Sequence, residues 1–159
     1  MSNLEMQVAA LMRLCTAEKD TERKKAKEEI RRLLKGGARF APDPEAEIRR
    51  ILLELGAPDH LVGHPYLVRG ILLALDSREY IDNMTGRLYP RLAEEFHTNP
   101  ARVERSIRHV IEVAWTRGDM AALDAYFGNT VDANKGKPTN AEFIARIANV
   151  VGERMRQTA

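Results

Sequence analysis

The sequence predicts an all-α protein: a multi-helix domain over residues 44–159 that contains a helix-turn-helix, preceded by an N-terminal helical extension and linker over residues 1–43. Three observations predict it. Apolar residues recur at three- and four-residue intervals along most of the 159 positions, strand-like alternation is rare, and the periodic runs begin and end on helix signals. Asp43-Pro44 and Asn99-Pro100 pair an N-cap with a first-turn proline, and Gly56 and Gly118 stand where helices should stop.

Ser2 and Glu5 have capping-box spacing, and Leu4, Val8, Leu11 and Cys15 then form a narrow apolar stripe, so a first amphipathic helix is expected. From Glu18 to Lys35 charge dominates, yet Ala26, Ile30, Leu33 and Leu34 keep helical spacing until Gly36-Gly37. Two helices meeting near Asp20 and one long helix both fit. Residues 37–43, with Pro42, read as a linker. The next helices are expected from Pro44 to Leu55, Pro65 to Leu75, around Thr85 to Phe96 with Pro90 inside, and Pro100 to Arg117. Asp119 can cap a short helix ending near Phe127-Gly128. A polar loop from Asn129 to Pro138 follows, and Thr139 with Glu142 forms a second capping pair that opens a terminal helix with Phe143, Ile147, Val150 and Val151 inward.

Composition excludes several classes. At 44% hydrophobic and 30% charged, with glycine and proline dispersed, the chain is not of the disordered type. A net charge of +2 neither demands nor forbids nucleic acid, so the clustering of basic residues decides. Cys15 has no internal disulfide partner and no signal-peptide pattern opens the chain, which fits a natural start at Met1 in a reducing cytoplasm. The most apolar stretch, Tyr66 to Leu75, is interrupted by Arg69 and is too short to cross a bilayer, so no membrane partner is expected.

Basic residues do gather. In a DNA-binding helix-turn-helix a small residue of the first helix and an apolar residue early in the second must meet across a tight turn, and Ala93 and Val103 suit those places. His97 stands where a turn glycine is usual. Along the second helix Val103, Ile107, Val110, Ile111 and Ala114 fall on one face. The opposite face carries Arg102, Arg105, Ser106 and His109, flanked by Glu104 and Arg108. Arginine can donate two hydrogen bonds to the O6 and N7 acceptors of guanine, and glutamate can accept from the N4 amino group of cytosine. A carboxylate among arginines opposes phosphate binding, so Glu104 makes more sense as a base reader than in nonspecific coating. Solvated Glu–Arg pairs at helical spacing would give the same pattern.

No enzyme, metal or cofactor site is nominated. His60, His64, His97 and His109 are scattered without zinc-ligand spacing. Glu94 and Glu95 are sequence neighbours that point in different directions, a poor acid–base couple. Gly36-Gly37 reads as a helix stop rather than a phosphate loop. Trp115 reads as core, not as a base-stacking ring.

The segments LYPRLAEEFHTNPARVERSIRHVIEVAWTRGD (Leu88 to Asp119), KPTNAEFIA (Lys137 to Ala145) and ILLELGAPDHLVGHPYLVRGI (Ile51 to Ile71) carry a resemblance. From about Glu47 onward the chain resembles the DNA-binding effector domain of the stage zero sporulation protein A family, the master response regulator of endospore-forming Firmicutes. The resemblance implies a six-helix domain of response-regulator effector architecture, winged-helix-like but without a β wing. It implies double-stranded DNA as partner, at TGTCGAA-like boxes often in tandem. By position Arg102 would read guanine and Glu104 cytosine, Arg105 and Arg108 would hold phosphates or neighbouring base edges, and Lys135, Lys137, Thr139 and Asn140 would add backbone contacts.

Two departures stand out. Residues 1–43 are too few for the family's phosphoacceptor receiver of alternating strands and helices. Asp119 to Val131, where the family meets the sigma subunit of RNA polymerase, keeps the helix signature with a different exposed set, DMAALDAYFGNTV. The extension can pack on the effector domain, pack on a second copy as a homodimer or be a loose tail, and all three stay open. A protein-interaction module that binds a full-length relative or a kinase is the alternative function.

Overall fold

The computed structural model describes residues 3–16, 20–35, 43–128 and 136–158. The chain divides into two units, Met1–Ala41 and Pro42–Ala159. In the first, α1 (Asn3–Thr16) and α2 (Asp20–Lys35) are separate helices that pack on each other, which decides between the two arrangements open from the sequence. Ala10 and Ala26 are buried, while Val8 and Leu11 of the expected stripe are 43% and 51% exposed. A two-helix hairpin has little surface with which to enclose large side chains, and among the described residues those it buries are two alanines. Ser2 and the Gly36-Gly37 stop lie outside the described residues.

The second unit contains α3 (Pro44–Glu54), α4 (Gly63–Asp76), α5 (Glu79–Asp82), a π turn (Met84–Leu88), α6 (Tyr89–Glu95), α7 (Pro100–Arg117), α8 (Met120–Phe127) and α9 (Asn140–Thr158). There is no β-strand among the described residues. Local chemistry sets the ends of these helices. The Asp43 carboxylate accepts from the Glu45 amide at 3.0 Å and Pro44 occupies the first turn of α3. At the other end Gly56, at φ +74°, closes α3 with the Ala57 amide donating to the Leu52 carbonyl at 2.9 Å and the Gly56 amide to Leu53 at 3.0 Å. Gly118, which ends α7, lies against Gly56: a Cβ on Gly56 would sit 2.8 Å from the Gly118 Cα. The two helix stops thus serve as one contact between backbones.

α4 is the centre of the unit, packed on α3, α7 and α9, with Leu67, Val68, Ile71 and Leu73 at 4% exposure or less. Burial on several sides explains why its Tyr66 to Leu75 run is so apolar. Arg69, the charge in its middle, is held by Glu95 of α6 through hydrogen bonds of 2.7 and 3.0 Å. That pairing lowers the Glu95 carboxyl, so Glu95 is a structural partner rather than half of an acid–base couple. The helix begins two residues before Pro65, because a proline in the first turn costs no intrahelical hydrogen bond. His64 is buried there, and burial, reinforced by Arg49, keeps its imidazole below the usual range.

The expected single helix around Thr85 to Phe96 is broken. In an unbroken α-helix the Pro90 ring would strike the carbonyl four residues earlier, that of Gly86. The chain widens into a π turn instead, with the Leu88 amide reaching the Asn83 carbonyl at 3.4 Å and the Asn83 side chain accepting from the Gly86 amide at 2.8 Å. α5, which the sequence reading missed, precedes it, with the Glu79 amide donating to the Ser77 hydroxyl at 3.3 Å.

The C-terminal helix completes the core. Phe143, fully buried, stacks on Phe127 at 5.1 Å, and Trp115 meets Phe127 edge-on at 5.2 Å, so Trp115 is a packing residue as expected. Ile144, Ile147 and Val151 are also fully buried, and each such side chain contributes about 1.5–3 kcal/mol. On the outer side Arg154 of α9 binds Glu47 of α3 at 2.5 Å and the Tyr126 hydroxyl of α8 at 3.2 Å. Arg50 first and Arg154 with it hold the Glu47 carboxyl down at about 2.

Candidate nucleic-acid interface

α6, the turn after it and α7 form the helix-turn-helix. Ala93 and Val103, 5% and 0% exposed, are the buried positions the motif requires. The turn uses the same closure as Gly56. The Thr98 amide donates to the Ala93 carbonyl at 2.9 Å and the His97 amide to Glu94 at 3.4 Å. Here, however, the left-handed residue is His97, at φ +52°. Phe96 seals the corner edge-on against Tyr66, with ring centres 4.7 Å apart. The Asn99 side chain then accepts from the Arg102 amide at 2.9 Å, and Pro100 starts α7.

Every residue assigned to the inner face of α7, Val103, Ile107, Val110, Ile111 and Ala114, is buried. The outer face divides in two. Arg102, Arg105 and His109 are exposed and Ser106 half-buried, and they line a groove completed by Asn99, the loop residues Leu61 and Val62, and Gly63 at the start of α4. This groove is narrow at its base because Gly63 touches the α7 backbone. A Cβ there would be 2.1 Å from the Ser106 carbonyl oxygen. Arg105 reaches back to the Ala101 carbonyl with a 3.4 Å hydrogen bond, a loose hold that leaves most of its donors to solvent.

Glu104 and Arg108 line a second groove on the other flank, with Thr85, Tyr89, Lys137, Pro138, Thr139 and Asn140. Arg108 is paired with Glu104 one turn away, so the carboxylate that would accept from cytosine already has a partner. Lys137 is paired with Glu112 at 2.5 Å, which keeps that carboxyl below its ordinary range. Thr139 and Glu142 form the expected capping box: the Thr139 amide donates to the Glu142 carboxylate at 2.8 Å, and the Glu142 amide to the Thr139 hydroxyl at 3.2 Å. Asn140 donates to the Tyr89 hydroxyl at 3.1 Å and to the Glu104 carbonyl at 3.2 Å. Lys135 lies outside the described residues.

Arg102, Arg105, Ser106 and His109 are therefore brought together in one groove, and Glu104, Arg108, Lys137, Thr139 and Asn140 in the other. Reasoning from the residues missed Leu61, Val62 and Tyr89 as parts of these walls. Their placement depends on tertiary approach, for which no local signal exists.

A helix-turn-helix set into a larger all-α unit, with arginines on the exposed side of its second helix, is the arrangement of a DNA-binding effector domain. Residues 48–151, more than half the chain, match the family described as sporulation initiation factor Spo0A C terminal. The chain belongs to that family, whose members are DNA-binding effector domains of the sporulation system. Among the described residues no helix is long and apolar enough to cross a membrane.

Proposed function

We propose that this protein is a sequence-specific transcription regulator that places α7 in the major groove of a TGTCGAA-like box. The observation that carries the reading is the row of exposed Arg102, Arg105 and His109 with half-buried Ser106 on a helix whose other face is locked into the core. Arg102 donates to guanine, Glu104 accepts from cytosine, and Arg105 holds phosphate. Arg108 keeps the Glu104 carboxylate extended in the free protein and turns to phosphate when cytosine replaces it. Lys135, Lys137 and Thr139 lie along the neighbouring strand, Lys137 exchanging Glu112 for phosphate. Residues 1–43 hold no receiver, a reading supported by the two helices α1 and α2 there. Association of two copies through the exposed Met6, Val8 and Leu11 of α1 would suit tandem boxes. Contact with the sigma subunit would fall on α8, where Met120 is 76% exposed. The regulator acts on chromosomal DNA in the cytoplasm.

Fluorescence anisotropy on duplexes with one or two boxes, against a scrambled duplex and across a salt series, tests this. A preference of about a hundredfold or more is expected. Glu104→Ala should change which base is preferred at one position. Arg105→Ala should weaken all sequences alike and reduce the salt slope by about one. Weak, equal binding to both duplexes in the wild type would refute base reading and turn attention to protein partners.

A further inference from the structure

Asn140, the first residue of α9, joins both helices of the helix-turn-helix from outside the motif. Its side-chain nitrogen donates to the hydroxyl of Tyr89, which opens α6, and to the main-chain carbonyl of Glu104, one turn into α7. A carboxamide nitrogen carries two hydrogens, so both are spent within the protein. What remains is the side-chain oxygen, an acceptor that a phosphate, itself an acceptor, cannot use. Tyr89 is 8% exposed and Asn140 half-buried, so these bonds are sheltered from water and costly to leave unmade. The Glu104 carbonyl has a second lone pair beyond the one used inside α7, and Asn140 takes it.

We propose that Asn140 is a positioning residue for sequence reading: it ties α9 and α6 to the α7 backbone at Glu104 and so sets where the Glu104 carboxylate meets its base, without itself touching DNA. The proposal rests on the DNA-reading function above. Its physical basis is that hydrogen-bond readout tolerates only about 0.5 Å of misplacement, whereas phosphate attraction tolerates far more. Asn140 therefore governs discrimination between sequences and leaves general affinity for DNA alone.

The test compares the full chain with Asn140→Ala, Asn140→Asp and Tyr89→Phe variants on the matched box, on a box altered at the base pair assigned to Glu104, and on a scrambled duplex. It is run at a temperature where circular dichroism shows each variant folded. Asn140→Ala should lower discrimination about tenfold on the matched box while scrambled binding and the salt slope stay unchanged. Asn140→Asp, which presents an oxygen to the Glu104 carbonyl, should do the same, and Tyr89→Phe should move partway. Equal loss on matched and scrambled DNA with a smaller salt slope would mean direct phosphate contact and overturn the proposal, as would unchanged discrimination. A nitrogen–proton correlation spectrum without DNA separates this from the underlying reading. Shifts at residues 103–108 in Asn140→Ala are expected. If the wild type shows no sequence preference the DNA reading fails, and the spectrum alone decides whether Asn140 positions α7; an unmoved α7 overturns it.

Discussion

Replacing Gly63 with alanine should cost more stability than its size suggests. The added Cβ would stand 2.1 Å from the Ser106 carbonyl oxygen, 2.4 Å from its carbon and 2.9 Å from a Val110 methyl. Ordinary carbon–oxygen contacts begin near about 3.3 Å, so α4 and α7 must separate by roughly 1 Å at their crossing. The obstacle is helix backbone, which cannot swing aside as a side chain would. Overpacking costs typically ~1–3 kcal/mol, and a rigid neighbour places this case at the upper end. Alanine's better helix propensity returns little at the first position of a helix. A net loss of about 2–3 kcal/mol follows, or roughly 6–10 °C in Tm for a chain of this size. Gly70, about two turns further along α4, is the control. A Cβ there meets no heavy atom closer than 3.6 Å, so Gly70→Ala should stabilise by about 0.5–1 kcal/mol. Urea denaturation of both variants measures the two effects. If Gly63→Ala lies within about 0.5 kcal/mol of wild type, or proves the milder of the pair, the argument from backbone approach is wrong.

His97→Gly should raise stability. An L-residue at φ +52° pays about 1–2 kcal/mol, and the greater freedom of unfolded glycine takes back ~0.4–1 kcal/mol, leaving roughly 0.5–1 kcal/mol; a Tm at or below wild type would contradict it. The Glu47 cluster predicts acid sensitivity. Because the folded carboxyl titrates at about 2 against an ordinary 4.5, its contribution is complete above pH 4.5 and fades as the pH falls toward 2. Glu47→Gln should therefore be less stable than wild type at neutral pH and approach it at low pH. Thermal melts across that range would expose the error if the difference stayed constant.

How much of this was legible in the sequence follows from the range of each interaction. α7 was read correctly from end to end because its signals are local: the Asn99 cap, Pro100, five apolar residues at helical spacing and Gly118. The pairing of Glu104 with Arg108 was likewise within reach, being one turn long. The break at Pro90 was harder, since the proline announces a conflict but not whether a kink or a π turn resolves it. The division of the outer face into two grooves was not legible at all. One wall depends on α4 meeting α7 at Gly63, and the other on Asn140 reaching Tyr89 across 51 residues of sequence. Spacing rules along one helix carry no information about such partners. Val8 and Leu11 of the stripe expected on α1 are exposed for a related reason, because burial there depends on the neighbouring helix, while the side chains of Leu4 and Cys15 lie outside the described residues.

The tie from α9 to the helix-turn-helix bears on where this protein could be cut or transplanted. A fragment ending at Gly128 would keep all of α6 and α7, and so would look like a complete reading head. It would nevertheless lose Asn140 as well as Phe143, Ile144, Ile147 and Val151, the side chains that close the core beneath α7. The smallest fragment that keeps this core therefore extends through α9, and grafting α6–α7 alone onto another scaffold would transfer the amino acids without the contacts that fix where α7 lies.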